Sequence, residues 1–320
     1  MTAKKILCTG PIDEYATRTL GAFGEIVVAD DPAGPIIPFL NDTVALVVRG
    51  EAEITKEVVE AGTDLKVIAR SGVGYNNVDI AAATARGIPV VFTPGAMVAS
   101  MAEGAMAMML SMAKKLVYWD QQTKAGNWTS RFVTDHIDLE GKSLGVVGVG
   151  RIGRRTVQLA QAFGMQVSAF DPYVSASDAK EMGITLLSLD ELLGQADFIC
   201  IHAALTDETK GLINGENLKN LKPGAFLVNL ARGALIESLD VLYDALQDGR
   251  LRAVGLDVFE PEPPDVSHPI FQHPNCLTAP HVLGISKGAM DRVFQSMADD
   301  MAAVLRGETP RHVVNPEVLS

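Results

Sequence analysis

The sequence predicts an α/β protein with two domains, each built around a parallel sheet. Short apolar runs recur about twenty residues apart over residues 1–100 and again from residue 144 onwards, with helix-like segments between them. Strands that alternate with helical crossovers form parallel sheets covered on both faces. A chain of 320 residues is long enough for two such cores.

The first 100 residues carry five of the predicted strands. They lie at residues 5–8, 25–28, 44–48, 66–69 and 89–92, with helices at 14–23, 55–61 and 80–86. A last amphipathic helix, about residues 288–305, has no strand partner in the second domain. We therefore expect it to cross back, so that residues 1–100 and 288–320 form one discontinuous domain and residues 101–287 form the other.

The second domain opens with a glycine-rich turn. An apolar run at 144–147 is followed by Gly148, Gly150 and Gly153 in G-x-G-x-x-G spacing, and then by a helical pattern. In such a turn the first glycine permits a tight bend, the second lets a pyrophosphate approach the backbone, and the third lets the helix pack on the strand. A purely structural glycine turn is the less favoured alternative.

Asp171 ends the next predicted strand, at 166–170. A carboxylate at this place accepts hydrogen bonds from the ribose hydroxyls of NAD. It would repel the 2′-phosphate of NADP, by roughly 4 kcal/mol per unit charge at an effective dielectric near 20. The glycine turn and Asp171 together predict a Rossmann domain that binds NAD.

Three later strands of this domain end in polar residues. The strand at 225–230 leads to Arg232, the strand at 253–257 to two acids among prolines, Glu260 and Glu262, and the strand at 276–279 to His281. The carboxyl ends of parallel strands meet at one edge of a sheet, where open α/β sheets bind ligands. We therefore expect these side chains to lie beside the nicotinamide.

The three residue types suit a hydride transfer. Histidine titrates nearest neutrality, so His281 is the natural proton donor or acceptor. The guanidinium of Arg232 can hold a substrate carboxylate in a bidentate manner. A carboxylate such as Glu262 fixes the tautomer of an imidazole and stabilises its protonated form.

Each of these residues has a more ordinary interpretation when it is taken alone. A histidine after a proline is more often structural, an arginine after a strand is usually a surface charge, and acids among prolines usually line a loop. The functional interpretation depends on their occurring together. His202, which ends another strand, is a weaker candidate near the cofactor.

Net charge and cysteine usage indicate which partners the protein can bind and in which compartment it works. The net charge of −12 argues against nucleic acid or an anionic membrane as a partner. The three cysteines are isolated and fit neither a disulfide framework nor a metal site, so we expect the cytoplasm and no metal. The segment 102–117 is apolar on nearly every side and, with Trp119 and Trp128 nearby, favours a homodimer interface.

Six motifs resemble those of the D-isomer-specific 2-hydroxyacid dehydrogenase family. They are RSGVGYNNVD, PGAMVASMAE, GVVGVGRIG, NLARGALI, GLDVFEPEP and APHVLGIS, and the match that runs through them covers essentially the whole chain. The resemblance implies a flavodoxin-like substrate domain and a Rossmann NAD domain with a cleft between them, usually in a homodimer. It also implies Arg232 as the substrate-binding catalytic residue, His281 as the proton donor in reduction, and Glu262 as its hydrogen-bonded partner.

The resemblance assigns further residues to the cofactor and the substrate. Arg151 and Ile152 resemble pyrophosphate contacts, and Asp257 resembles the ligand of the nicotinamide carboxamide. The amides near Val73 and Gly74 resemble the cradle of the substrate carboxylate. Two more residues complete the set, one on the cofactor side and one on the substrate side: Ala231 and Arg49.

The chain departs from the family pattern in its substrate loops. Met97 stands where members commonly carry asparagine, and Glu51 stands where phosphoglycerate-handling members have a second arginine after Arg49. An acid there opposes a substrate phosphate. We also expect no appended regulatory domain.

We therefore predict an NAD-dependent oxidoreductase that interconverts a small, unphosphorylated D-2-hydroxy acid and its 2-oxo acid. One alternative is a phosphoglycerate dehydrogenase or a hydroxypyruvate or glyoxylate reductase of the same build. A second alternative is an NAD(H)-sensing interaction protein, similar to the corepressors among the relatives of this family.

Overall fold

The computed structural model describes residues 4–31, 34–50, 52–132 and 135–319. The chain divides into two compact units, one formed by Met1–Met97 with Ile285–Ser320 and the other by Val98–Gly284. Each unit contains a parallel sheet with helices, which confirms the predicted α/β fold class. No helix within these described ranges is both long and apolar enough to cross a membrane.

The sheet of the first unit has the strand order β2-β1-β3-β4-β5, and all its neighbours pair in parallel. This is the flavodoxin-like order. Its central strand is buried at every residue, as expected for a parallel strand covered on both faces. The strands are β1 Lys5–Cys8, β2 Glu25–Val28, β3 Thr43–Val48, β4 Val67–Arg70 and β5 Val90–Val91.

Four α-helices cover this sheet. They are α1 Glu14–Gly21, α2 Lys56–Ala61, α3 Ile80–Ala85 and, from the end of the chain, α10 Lys287–Arg306; short 3-10 helices occur at Ile37–Phe39 and Pro316–Leu319. Helix α10 packs on β4, β5 and α1, and it buries Phe294, Met297 and Met301 in the apolar core on this face of the sheet. The following tail is fixed to the sheet edge by Asn315, whose Oδ1 accepts the Val90 N–H at 2.8 Å.

The sheet of the second unit has seven parallel strands in the order β12-β11-β10-β9-β6-β7-β8. Its first six strands in chain order are arranged as in the Rossmann fold, whose strand order reverses between β6 and β9. The strands are β6 Ser143–Val147, β7 Gln166–Phe170, β8 Thr185–Leu186, β9 Phe198–Ile201, β10 Ala225–Asn229, β11 Leu251–Leu256 and β12 Cys276–Thr278.

The helices of this unit lie between those strands and before β6. They are α4 Val98–Ala113, α5 Leu116–Lys124, α6 Arg151–Ala162, α7 Ala176–Glu181, α8 Leu189–Gln195 and α9 Leu239–Gln247, with 3-10 helices at Trp128–Phe132, Asn217–Asn220, Gly233–Leu235 and Pro269–Gln272. Strand β8 and helix α5 were not predicted, because neither is marked by an apolar run of its own.

The apolar segment 102–117 is not one helix. Helix α4 ends at Ala113, Lys115 takes the left-handed conformation with φ 51°, and α5 begins at Leu116. Helix α4 packs on α6, β10 and β11, so its apolar surface is covered within its own unit. The large apolar side chains of this region that are exposed lie after α4, at Leu116, Val117 and Tyr118.

Candidate active site

The glycine turn between β6 and α6 has three glycines that are needed for different reasons. Gly148 has φ +93°, and a Cβ there would lie 2.5 Å from the backbone nitrogen of Ala203. A Cβ at Gly153 would collide with the carbonyl oxygen of Gly148. At Gly150, by contrast, no heavy atom lies within 4 Å of the position that a Cβ would take.

The open side of Gly150 is where a phosphate can reach the backbone. Gly150 is the N-cap of α6, and Arg151 and Ile152 form the first turn of that helix. The free N–H groups and the dipole at a helix N-terminus favour an anion. The residues of this turn therefore fit the pyrophosphate of a dinucleotide.

Asp171 follows β7 and is bound to the same turn. Its Oδ2 accepts the N–H of Val149 at 2.7 Å, and its Oδ1 accepts the N–H of Tyr173 at 2.9 Å. An ionised carboxylate has about four acceptor positions. Acceptor capacity therefore remains for the hydroxyls of a ribose.

Arg232 lies in a turn that Asn229 holds. The buried Asn229 side chain accepts the Ala231 N–H at 3.0 Å and donates to the Arg232 carbonyl at 2.9 Å. A Cβ at Gly233 would overlap the carbonyl group of Phe259, so only glycine lets this turn approach the next loop so closely. The Arg232 turn thereby packs against the loop that carries Glu262.

The guanidinium of Arg232 is half-buried. Its Nη1 donates to the Ala231 carbonyl at 2.6 Å. Burial lowers its pKa, and the charge of Glu262 opposes that shift. An arginine remains a cation under these conditions, and four of the five N–H donors of its planar group remain for a carboxylate.

His281 and Glu262 are brought together. The Nδ1 of His281 lies 2.8 Å from Oε2 of Glu262, and Oε1 of Glu262 accepts the Phe259 N–H at 3.0 Å. The side chain of His281 is 48% exposed. With Nδ1 held by the carboxylate, Nε2 is the ring nitrogen that can exchange a proton with a substrate.

The electrostatics keep Glu262 ionised. Partial burial raises its pKa, but the hydrogen bonds from His281 and Phe259 and the charges of His281 and Arg232 outweigh burial, and the net pKa lies below its usual value. An ionised carboxylate at this position accepts the Nδ1 proton and stabilises the imidazolium.

Asp257 fixes the backbone after His281. It is fully buried, and its two oxygens accept the N–H groups of Val282 at 2.9 Å and Leu283 at 3.2 Å. Burial raises the pKa of Asp257, whereas these hydrogen bonds lower it. The family-based role of Asp257 toward the nicotinamide stays a prediction, but its role as an anchor of the His281 loop is visible.

The residues expected to hold the substrate carboxylate lie in the first unit. Val73 and Gly74 are partly exposed in the loop after β4, between Arg70 and Asn77. The Nε of Arg70 donates to Oδ1 of Asn77 at 3.3 Å, which closes this loop.

Arg49 and Met97 also belong to the first unit. Arg49 follows β3, and its guanidinium donates to the Pro11 carbonyl and lies 4.9 Å above the ring of Phe294. Burial lowers the pKa of Arg49. Met97 is half-buried. Glu51, on which the prediction about phosphate also depends, lies outside the described residues.

Two contacts of the second unit were missed from the sequence. The Nε2 of His202 lies 3.0 Å from Oγ1 of Thr156 on α6, behind the glycine turn. Burial lowers the pKa of His202 to about 4, so it is a neutral packing group near pH 7. The other missed contact is the pair of hydrogen bonds from the Asn229 side chain to Ala231 and Arg232. The available signal was that a polar residue, Asn229, ends the otherwise apolar strand β10.

No group of three or more His, Cys, Asp or Glu side chains in the described part of the chain is arranged to hold a metal ion. Arg232, Glu262 and His281 can instead perform acid–base chemistry on a carboxylate-bearing substrate without a metal ligand among them.

Comparison with known proteins identifies relatives of this chain. Residues 106–282 match the family model described as "D-isomer specific 2-hydroxyacid dehydrogenase, NAD binding domain". The D-3-phosphoglycerate dehydrogenase of Methanocaldococcus jannaschii is 40% identical over 313 residues, which cover 97% of this chain and 59% of that protein. The glyoxylate reductase of Korarchaeum cryptofilum is 34% identical over 322 residues, which cover 98% of this chain and 97% of that protein.

The chain thus spans about three fifths of the length of that phosphoglycerate dehydrogenase. Solved structures show the same fold. The TT0316 protein of Thermus thermophilus has a TM-score of 0.90 at 34% identity, covering 97% of this chain and 99% of that one. The D-lactate dehydrogenase of Aquifex aeolicus, complexed with NAD and lactic acid, has a TM-score of 0.86 at 28% identity, covering 98% and 99%.

Proposed function

The chain belongs to the D-isomer-specific 2-hydroxyacid dehydrogenase family, as its motifs predicted, and we propose that it interconverts a small, unphosphorylated D-2-hydroxy acid and its 2-oxo acid with NAD. The observation that carries this proposal is the contact of 2.8 Å between His281 and Glu262. The Arg232 turn packs against the same loop through Gly233. An acid–base pair and a carboxylate-binding cation are thereby combined in the unit that carries the NAD turn.

In the direction of reduction, Arg232 holds the carboxylate of the 2-oxo acid and polarises the adjacent carbonyl. His281 gives the proton on Nε2 to the carbonyl oxygen, while Glu262 stabilises the imidazolium before the transfer. NADH supplies the hydride to the carbonyl carbon when it is bound. In oxidation His281 takes the hydroxyl proton back, so that protons and electrons balance in both directions.

The cofactor is NAD, as predicted, since the matched family domain is an NAD-binding domain. The backbone of the glycine turn, with Arg151 and Ile152, would hold the pyrophosphate, and Asp171 would accept the ribose hydroxyls. We assign Ala231 and Asp257 to the nicotinamide side. The acid at Asp171 disfavours the additional phosphate of NADP.

The unphosphorylated substrate is the finer part of the proposal. The guanidinium of Arg49 is already engaged by the Pro11 carbonyl and the Phe294 ring, within the first unit. Met97 offers no polar group, and Glu51, two residues after Arg49 in the sequence, carries a negative charge. A substrate phosphate, with close to two negative charges, would therefore be matched by one arginine and one acid rather than by two arginines.

A glyoxylate or hydroxypyruvate reductase is the second candidate. It is favoured by the similarity to a glyoxylate reductase over nearly the full length of both chains. A phosphoglycerate dehydrogenase is favoured by 40% identity but opposed by the acid Glu51 where a second arginine would stand.

A panel of 2-oxo acids with NADH tests these candidates. We expect pyruvate-sized or branched 2-oxo acids, or glyoxylate and hydroxypyruvate, to be reduced with higher kcat/KM than 3-phosphohydroxypyruvate. A preference for the phosphorylated compound would overturn the substrate class. Tight NADH binding without turnover of any acid would favour the sensing protein instead.

We also propose a homodimer in the cytoplasm. Leu116, Trp128 and Phe132 are 61%, 64% and 75% exposed, and clustered exposed apolar side chains are typical of protein interfaces. The three cysteines are free thiols, which suits a reducing compartment. Sedimentation at micromolar concentration is expected to give a dimer, and Trp128→Ser with Phe132→Ser to weaken it; a wild-type monomer would contradict the proposal.

A further inference from the structure

The first two turns of α4 lie against the loop that carries His281. The Oγ of Ser100, a buried residue, donates to the carbonyl of Leu283 at 3.2 Å. A Cβ at Gly104 would lie 2.9 Å from the Cβ of Leu283, well inside the usual carbon–carbon separation of about 3.5–4.0 Å. Helix α4 therefore contacts both the backbone and the base of the side chain of Leu283.

Glycine at position 104 has no local reason. Its φ lies outside the left-handed region, and glycine is a poor helix former compared with alanine. A glycine inside a helical pattern usually has a packing or functional reason. Here the reason is the close approach of Leu283.

Leu283 is held from its other side by Asp257. The carboxylate of Asp257 accepts the N–H groups of Val282 and Leu283. The residues that follow His281 are thus clamped between a buried carboxylate on one side and α4 on the other.

His281 needs such a clamp. It has φ +53°, in the left-handed region that residues other than glycine rarely adopt. A conformation of this kind persists only when the surrounding structure determines it. Glu262 fixes the ring, but a contact with the ring leaves the backbone free to relax.

We propose that Ser100 and Gly104 are positioning residues for proton transfer: by holding Leu283 they fix the backbone of His281 and with it the placement of its imidazole. The inference rests on the proposed role of His281 as proton donor. This role differs from ordinary packing, because loss of the Ser100 and Gly104 contacts should slow the chemical step and leave the NAD turn intact.

Gly104→Ala is the direct test. The added methyl group must push Leu283 away, whereas the higher helix propensity of alanine favours α4 itself. Misplacement of a catalytic group by about 1 Å can cost on the order of 100-fold in rate, so a shift of a few tenths of an ångström should lower kcat for reduction by roughly 10-fold. The Kd for NADH and the melting temperature should stay near those of the wild type.

Leu283→Gly removes the nearest of the atoms that Gly104→Ala would meet, whereas Leu230 Cδ2, at 3.2 Å, remains. The double variant should therefore recover only part of the kcat lost in Gly104→Ala. Gly21→Ala is the matched control, since Gly21 is a helical glycine of α1 with no heavy atom within 4 Å of a Cβ. Ser100→Ala, a milder change, should lower kcat about threefold and keeps the test valid if Gly104→Ala fails to fold.

The split between kcat and KM separates positioning from packing. A misplaced His281 should lower kcat for reduction in Gly104→Ala, whereas the KM for the 2-oxo acid, which Arg232 holds, should stay within about twofold of the wild type. The inference is overturned if Gly104→Ala keeps more than half of the wild-type kcat, or if NADH affinity falls in parallel with kcat. A wild type that turns over no 2-oxo acid would overturn the proposed function itself and this inference with it.

Discussion

The glycine turn and the His281 loop both contain a residue with positive φ, but the two are maintained in different ways. At Gly148, with φ +93°, the sequence provides a glycine, which adopts this backbone conformation without the strain that a Cβ would cause. At His281, with φ +53°, the chemistry requires an imidazole, so glycine is not available. Remote partners hold the loop instead: Asp257 and Glu262.

This difference shows how each region should respond to mutation. The glycine turn leaves no room for a Cβ at Gly148 and Gly153, so an added methyl group at either position should damage its fold. The His281 loop depends on named hydrogen bonds, so the removal of one partner should damage the chemistry before it damages the fold.

The largest effect is expected at His281. His281→Ala should lower kcat by about 10²–10⁴-fold, the usual contribution of general acid–base catalysis, while the Kd for NADH is unchanged. Steady-state kinetics and NADH fluorescence titration measure the two quantities. The exposed His136 provides the control, as His136→Ala should keep full activity. Retention of more than a tenth of kcat in His281→Ala would rule out the assignment.

Arg232 should give the next largest effect, mainly on substrate binding. A charge-assisted hydrogen bond is worth roughly 1.5–3 kcal/mol, so Arg232→Ala should lower kcat/KM by about 10- to 150-fold, with a clear rise in KM. Arg232→Lys should recover only part, because it keeps the charge but loses the planar fork. Arg250→Ala, which removes a surface ion pair with Asp248, is the control. An unchanged KM in Arg232→Ala would contradict a role in holding the carboxylate.

Two variants test the glycine turn, the other region of the comparison. Gly153→Ala forces a methyl group onto the Gly148 carbonyl and should destabilise the protein by about 1–3 kcal/mol. Gly150→Ala meets no protein atom, so its melting temperature should stay near the wild-type value while its NADH affinity falls. Thermal melts with and without NADH distinguish the two. Equal NADH affinity in Gly150→Ala and the wild type would show that the pyrophosphate does not approach this position.

The sequence was most informative where one short stretch carries the whole signal. The G-x-G-x-x-G spacing, the apolar run before it and the acid at Asp171 are local, and the structure has β6, α6 and β7 where they were expected. Strands that are buried on both faces were equally readable, because their apolar runs are continuous.

Contacts between distant segments were much harder to foresee. The pairing of His281 with Glu262 came from the family resemblance, since spacing alone does not bring residues 19 positions apart into contact. The hydrogen bonds of Asn229 and the contact of Gly104 with Leu283 depend on packing that no single stretch encodes. The break between α4 and α5 falls at Lys114 and Lys115, and these two lysines were the available signal for it.

The smallest effect is expected on the free energy of unfolding at acid pH, and it tests how the His281 loop is held. The pKa of Glu262 is lower in the folded protein than its usual value, because its hydrogen bonds and neighbouring cations outweigh burial. Its ionised form therefore stabilises the fold above the unfolded pKa of about 4.3, and this contribution is lost as the pH falls through the lower folded pKa. Since the side chain is 29% exposed, solvent screening should limit the contribution to no more than about 1 kcal/mol.

Glu262→Gln should accordingly be less stable than the wild type near pH 6 and should approach it near pH 3, as measured by urea unfolding. Glu260→Gln, a change at the neighbouring exposed acid, is the matched control. If the gap between Glu262→Gln and the wild type stayed constant from pH 6 to pH 3, ionisation of Glu262 would not be what holds this loop.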